Sequence, residues 1–187
     1  MTTSDIAPAV FLDRDGTIIE DRGHLRSASE VVFFPDSVSA LRRLQKHYRL
    51  FVVTHQPGIG RGLVSSDEVA KVNEYVVSEL LKQGVTISAV YCCPHTRDVG
   101  CACIKPNPYF LQKAARDYGI DLAASFVVGD HPHDVVLADN AGATGIFVLT
   151  GHGVQHRAEL PRWRIVVPGI REAAEWILAP DVVRRDN

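Results

Sequence analysis

Short apolar runs alternate with longer amphipathic stretches along this chain. Val10-Phe11-Leu12 stops abruptly at Asp13-Arg14-Asp15-Gly16, the pattern of a buried strand ended by a polar turn. Leu50-Phe51-Val52-Val53, ending at Thr54, repeats it, as do residues 85–91, then Phe126-Val127-Val128 before Gly129-Asp130, then Ile146-Phe147-Val148-Leu149, with a short sixth strand at 165–167. The stretches between them have helical spacing. Pro35-Asp36 starts a helix with Val38, Leu41 and Leu44 on one side. Ser65 or Ser66 caps the next, with Asp67 and Glu68 in its first turn, where the helix dipole favours anions. Val69, Val72, Val76, Leu80 and Leu81 form its stripe, and Gly84 ends it. Asn107-Pro108 opens a third helix with proline at its first position, lined by Phe110, Leu111, Ala114, Ala115 and Tyr118 and closed by Gly119. Shorter helices are predicted over 134–141 and 170–178. Residues 17–34 read as a loop or hairpin, and Gly58, Gly60 and Gly62 mark a flexible loop.

Buried strands alternating with amphipathic helices predict an α/β fold: a three-layer, Rossmann-like parallel sheet with helices on both faces. No repeat, low-complexity tract or linker divides the 187 residues, so one domain spanning residues 1–187 is expected. The polar end, residues 181–187, is expected to fray.

Four chemically loaded segments each follow a predicted strand: Asp13-Arg14-Asp15-Gly16-Thr17, Thr54-His55-Gln56, the approach to Lys105-Pro106, and Gly129-Asp130 with Asp134. The carboxyl ends of strands in an open parallel sheet lie along one edge, so these segments should converge there. Asp13, Asp15, Asp130 and Asp134 cannot gather without a cation, and oxygen ligands of this kind suit Mg²⁺. Thr54 and Lys105 would supply a hydrogen bond and a positive charge to a phosphate held by the same ion. A carboxylate beside phosphorus can act as nucleophile, and a second one can protonate the leaving oxygen and then activate water. The plainer reading, aspartates as caps and turns, would have to hold four separate times.

Composition narrows the classes. Hydrophobic residues make up 46% and the formal net charge is −2, which excludes extensive disorder and argues against a general nucleic-acid or anionic-membrane surface. No apolar run approaches about 18 residues, so no membrane span is expected. Met1 to Pro8 does not read as a signal peptide, and a cytoplasmic location is expected. In that reducing compartment the crowding of Cys92, Cys93, Cys101 and Cys103 suggests metal rather than disulfides. Cys93, His95, Cys101 and Cys103 form Cys-x-His-x5-Cys-x-Cys, a closed tetrahedral set of the kind that holds structural Zn²⁺ in a loop of about residues 92–104. Free cysteines, a disulfide or a redox thiol are the alternatives. Cys92 is left over at a strand end, where simple burial is the expectation.

The strand-end set resembles the haloacid dehalogenase superfamily of phosphohydrolases. Phe11-Leu12-Asp13-Arg14-Asp15-Gly16-Thr17 matches its first motif, Thr54 the second, Lys105 the third and Gly129-Asp130-x-x-x-Asp134 the fourth. The resemblance spans about residues 9–150. It implies Asp13 as nucleophile and Asp15 as general acid and base, with Mg²⁺ held by Asp13, Asp130 and the backbone carbonyl of Asp15. Asp134 would support the metal site or orient Lys105. The thiolate loop before Lys-Pro is similar to that of the D-glycero-D-manno-heptose 1,7-bisphosphate 7-phosphatases and of the histidinol-phosphate phosphatases, and Gly58-Ile59-Gly60-Arg61-Gly62 favours the former.

The chain departs from the heptose pattern in several places. His55 stands where Asn is usual, Pro57 where Ser is, Ile104 where Arg is and His131 where Lys is. The missing Arg and Lys help grip the sugar phosphate in that family, and each charge-assisted contact is worth roughly 1.5–3 kcal/mol. Arg14, Gln56, Arg61 and His131 remain as candidates for substrate binding; for the two arginines and His131 a solvated surface role is the alternative. The intervals between motifs hold the core elements and no cap domain, so loops 18–34, 55–64 and 93–104 should wall the site. The expected activity is Mg²⁺-dependent hydrolysis of a small phosphorylated metabolite by a monomer, with a sugar phosphate such as the heptose bisphosphate first. Histidinol phosphate, a nucleic-acid 3′-phosphate end and a non-catalytic phosphate-binding module follow it.

Overall fold

A computed structural model describes residues 6–180. The expectations for the first five residues and for 181–187 lie outside the described residues. Six strands form one parallel sheet: β1 (Ala7–Leu12), β2 (Arg49–His55), β3 (Ala89–Cys93), β4 (Ile120–Gly129), β5 (Thr144–Val148) and β6 (Ile165–Val167), in the order β3-β2-β1-β4-β5-β6. Seven helices connect them: α1 (Ser37–Leu44), α2 (Pro57–Gly60), α3 (Ser66–Lys82), α4 (Tyr109–Tyr118), α5 (Pro132–Ala141), α6 (Gly153–His156) and α7 (Ile170–Leu178).

The period-two alternation of each strand decides which helices lie on which face. Val10, Leu12, Leu50, Val52, Phe126, Val128, Ile146 and Val148 pack with residues of α1, α3 and α7. Ala9, Phe11, Phe51, Val53, Tyr91 and Val127 pack with Leu111 and Ala114 of α4 and Leu137 and Ala138 of α5. Phe11 and Phe51 stack within this second layer, ring centroids 5.1 Å apart. The three-layer α/β expectation is met; between β1 and β2 the described residues hold a 3₁₀ turn at Ala28–Glu30 and α1. No helix among the described residues is long and apolar enough to cross a membrane.

Several boundaries differ from the sequence reading for local reasons. Residues 85–88 are not in the third strand: the Val85 N–H closes the end of α3 on the Leu80 carbonyl (2.9 Å), so its buried side chain belongs to the helix cap. β4 begins at Ile120 rather than Phe126, because Ala7 and Pro8 pair with Ile120 and Asp121 before a bulge. The glycine loop at 58–62 is not featureless, since Pro57–Gly60 forms one helical turn. Proline is tolerated there at the first position. Pro108, by contrast, sits one place earlier than expected, at the N-cap of α4.

The order of strand addition reverses at the middle of the sheet, while all strands stay parallel: β1 to β3 build outward on one side of β1, β4 to β6 on the other. The carboxyl ends of β1 and β4 meet at that switch point, where ligands of open α/β sheets bind.

Candidate active site

The polar turn after β1 delivers Asp13 and Asp15. The Asp13 N–H continues the sheet by donating to the Val128 carbonyl of β4 (2.9 Å), which fixes the turn against its neighbour. Gly16 follows with φ of +78°, and a β-carbon there would collide with the Asp130 carboxylate. Gly129 has the same close approach to Asp134. The two glycines allow two backbones and two carboxylates to occupy one corner.

Asp13, Asp130 and Asp134 offer carboxylate oxygens within 4.8 Å of one another. Lys105 Nζ lies between two of them, 2.7 Å from Asp13 Oδ1 and 2.7 Å from Asp134 Oδ1. Asp134 also caps its own helix: its Oδ2 accepts the His131 N–H at 3.1 Å. Asp130 Oδ2 accepts the His152 N–H at 2.7 Å. Both readings of Asp134, metal support and partner of Lys105, are therefore geometrically served at once.

The electrostatics call for more positive charge than one lysine. Burial pushes the Asp130 carboxyl up to about 8, and Asp13 and Asp134 push it further the same way. Burial also raises Asp13; Lys105 opposes the rise and Asp134 adds to it. Carboxylates in this condition ionise when a divalent cation joins them. Ligand oxygens around Mg²⁺ stand about 3–4 Å apart. This donor set, hard oxygen atoms around one point, fits such an ion.

Asp15 turns away from the three-carboxylate cluster. Arg14 holds it with Nη2 2.9 Å from Oδ2, and Gln56 Nε2 donates to the same oxygen at 2.8 Å. Burial raises the Asp15 carboxyl, against the pull of Arg14. Arg14 is 1% exposed and its Nη1 donates to Asn73 of α3 at 2.6 Å. This corrects the surface reading of Arg14, and the side chain does not line the cavity either. Gln56 does line it, yet its amide group is committed to Asp15 and to Thr54 Oγ1 (2.8 Å). With Oγ1 accepting from Gln56, the Thr54 hydroxyl proton is directed elsewhere. Arg61 is exposed and stands outside the cavity, so it is not brought to the site. His131 is on the cavity wall, stacked on His133 at 4.5 Å between ring centroids.

The cavity has a volume of about 490 Å³. The loops expected to wall it contribute Asp21, Gly23 and His24, then His55, Gln56 and Pro57, then Arg97. His133 and His152 also line it. Sequence reasoning passed over Asp21, His24, Arg97, His133 and His152; only the adjacency of His133 to Asp134 could have drawn attention.

The second cluster lies beside the cavity. Cys93, His95, Cys101 and Cys103 bring their ligand atoms together, with Sγ–Sγ separations of 3.1 Å (93–103), 3.3 Å (101–103) and 3.6 Å (93–101), and His95 Nδ1 3.4 Å from Cys103 Sγ. Ligands about 2.3 Å from a tetrahedral Zn²⁺ stand about 3.8 Å apart, so the set fits zinc after slight expansion. Cys92 is outside the set and half-buried rather than fully buried, and desolvation pushes its thiol up to about 11. The loop is tied to the rest of the site: the Gln56 N–H donates to the Cys93 carbonyl (2.8 Å) and the Gly60 N–H to the Pro94 carbonyl (3.0 Å). His55 Nε2 contacts the His95 carbonyl oxygen at 2.8 Å. The histidine that replaces the usual asparagine thus braces the thiolate loop.

Comparison with known proteins agrees with this geometry. The HAD-hydrolase-like family model matches residues 102–173. The D-glycero-beta-D-manno-heptose-1,7-bisphosphate 7-phosphatase of Escherichia coli is 37% identical over 91% of this chain and 88% of its own length, and that of Photorhabdus laumondii is 37% identical over 81% and 86%. The D,D-heptose 1,7-bisphosphate phosphatase of B. bronchiseptica, crystallised with magnesium and phosphate, superposes with a TM-score of 0.84 at 33% identity, over 91% of this chain and 98% of that one. With the motif residues converging at one sheet edge, the chain belongs to the haloacid dehalogenase-like phosphatases, in the branch of the heptose-bisphosphate enzymes.

Proposed function

We propose that this chain hydrolyses a sugar phosphate, D-glycero-D-manno-heptose 1,7-bisphosphate in first place, through an aspartyl phosphate on Asp13. The observation that carries this reading is the meeting of Asp13, Asp130, Asp134 and Lys105 within hydrogen-bond or metal-ligand reach at one sheet edge. Asp13, Asp130 and the Asp15 carbonyl would hold Mg²⁺, with Asp134 behind them, and when bound it would supply charge neutralisation for the transferring phosphoryl group. Asp13 attacks phosphorus, and the bond to the sugar oxygen breaks. Asp15, its carboxyl raised by burial, gives its proton to that oxygen. The resulting Asp15 carboxylate then takes a proton from water, which attacks the phosphoryl-enzyme, frees inorganic phosphate and restores Asp13. Arg14 and Gln56 keep Asp15 turned toward the leaving oxygen rather than toward the carboxylate cluster. Thr54 donates its hydroxyl proton to a phosphoryl oxygen, and Lys105 holds Asp13 in place and adds positive charge.

No cap covers the site in this reading, so the loops select the substrate. The test is a kinetic panel on the purified chain: the heptose bisphosphate, histidinol phosphate and a 3′-phosphorylated oligonucleotide. The expected result is kcat/KM at least about 10-fold higher for the bisphosphate, the gain from one charge-assisted contact, with turnover abolished by chelation of Mg²⁺. A larger kcat/KM on either competitor overturns the substrate, and turnover on none overturns the reaction.

The reading includes a structural Zn²⁺ on Cys93, His95, Cys101 and Cys103. Protein purified without chelator should carry about one zinc per chain. Cys93→Ser should lose it and lower Tm by at least about 4 °C, the shift given by 1–2 kcal/mol in a domain of this size. Metal analysis and calorimetry check this; a zinc-free wild type with the same Tm as Cys93→Ser would refute it.

A further inference from the structure

The cavity is rich in carboxylates and poor in permanent cations. Asp13, Asp15, Asp21, Asp130 and Asp134 all line it, while Lys105 and Arg97 are its lysine and arginine. Lys105 is already paired with both Asp13 and Asp134. Arg97 is different: its Nη1 donates to the Lys105 carbonyl (3.2 Å) and its Nη2 lies 3.0 Å from His133 Nδ1. Among the described residues, no carboxylate forms an ion pair with it. The guanidinium is exposed on the wall of an acidic cavity, in contact with a backbone carbonyl and an imidazole nitrogen and with no carboxylate.

The histidines around it do not substitute for it. The His131 ring is stacked on His133 at 4.5 Å between centroids, and its Nδ1 accepts the His133 N–H at 3.2 Å. Packed in this way it does not take the place of the lysine usual at that position. Ile104 does not restore the missing arginine either, since it is buried and outside the cavity. The two cations of the family pattern are therefore absent, and one cation stands on the cavity wall without an anion.

Position favours a specific use. Arg97 is bonded to the backbone of the same residue whose side chain holds Asp13, so it stands one lysine side chain away from the reacting carboxylate. A substrate with two phosphates places its second anion at a distance from the scissile one. A planar guanidinium with hydrogens to spare matches a phosphate's oxygens in a way that a stacked imidazole does not. We propose that Arg97, steadied by His133, forms the subsite for the second anionic group of the substrate, in place of the cations usual at positions 104 and 131. This rests on the sugar-bisphosphate reading above and names the residue that gives it specificity. The thiolate loop thereby has a second consequence: the fold of residues 93–103 sets where Arg97 stands.

The experiment measures kcat/KM for heptose 1,7-bisphosphate and for heptose 7-phosphate, which keeps the scissile ester and lacks the second anion. The preference for the bisphosphate should fall about 10- to 100-fold in Arg97→Ala, mainly through KM, and less in Arg97→Lys, which keeps the charge without the fork. Adding His131→Lys to Arg97→Ala returns a cation to the wall and should recover part of the preference. An unchanged ratio in Arg97→Ala overturns the proposal, whether both rates persist or both fall together. So does loss of the ratio in the double variant to the same level as Arg97→Ala, when that level equals the loss produced by a disordered, zinc-free loop in Cys93→Ser. A wild type that handles the two esters equally well also overturns it while leaving the phosphatase reading standing. A wild type inactive on both brings down both.

Discussion

Asp13→Asn should reduce kcat by about 10³-fold or more, which corresponds to roughly 4 kcal/mol of lost transition-state stabilisation. The change is isosteric, so the fold has little reason to respond. The Asp13 N–H still donates to Val128, and Lys105 keeps Asp134 as its ion-pair partner. What disappears is the anionic oxygen that attacks phosphorus, together with one charge of the metal-ligand set. An amide oxygen is a much poorer nucleophile, and no other carboxylate of the cluster can replace it. Asp130 is held by the His152 N–H and Asp134 by Lys105 and the His131 N–H, each in a fixed direction. Single-turnover kinetics with phosphate release as the readout, beside a Tm measurement to confirm folding, decide the matter. A variant as fast as wild type would show that the nucleophile has been assigned to the wrong residue.

That prediction could be written from the sequence, and the reason is instructive. The strands of a parallel sheet are buried on both faces, so they read as short, nearly continuous apolar runs, and the first polar residue after each run marks the sheet edge. Asp13, Thr54 and Asp130 each stand at or next to such an end. Lys105 and Asp134 follow from the spacing of motifs. Residues placed by loops carry no such signal. Arg97 reaches the cavity because the thiolate loop folds back on α2, through the Gly60 to Pro94 hydrogen bond. His152 arrives after β5 at the start of α6, a four-residue helix with no periodicity to betray it.

Arg14 shows the opposite failure. An arginine between two aspartates in a polar turn has the composition of a solvent-exposed or ligand-binding residue. Its burial depends on Asn73, 59 positions later on α3, a partner that no local pattern reveals. The residue orients Asp15 from behind, and a long side chain sealed inside the protein performs what looked like surface chemistry. Gln56, a candidate for substrate binding, lines the cavity with its amide between Asp15 and Thr54.

Lys105→Met should be the most damaging single change to stability in the site. Lys105 is 6% exposed and within 2.7 Å of two carboxylates. Burial by itself would push its ammonium down; Asp13 and Asp134 more than reverse that and hold it above its ordinary value. Methionine fills similar space and removes the charge, leaving three clustered carboxylates with no cation in the metal-free protein. Breaking a buried pair by deleting one partner costs about 3–5 kcal/mol. In a domain of this size that is a Tm lower by about 6–20 °C. Mg²⁺ should return part of the loss, because it supplies to the same carboxylates the positive charge that methionine lacks. It should not return the activity: the lysine's contact with the reacting group is missing, and removing one such electrostatic contact costs about 10²–10³ in kcat. The pairing of these two results separates the roles. A drop in Tm that Mg²⁺ partly reverses, with kcat still low, is what a lysine serving both the fold and the reaction requires. If the variant kept its Tm to within about 2 °C in the absence of metal, the ion pairs with Asp13 and Asp134 would be contributing little, because even 1 kcal/mol shifts a protein of this length by that amount.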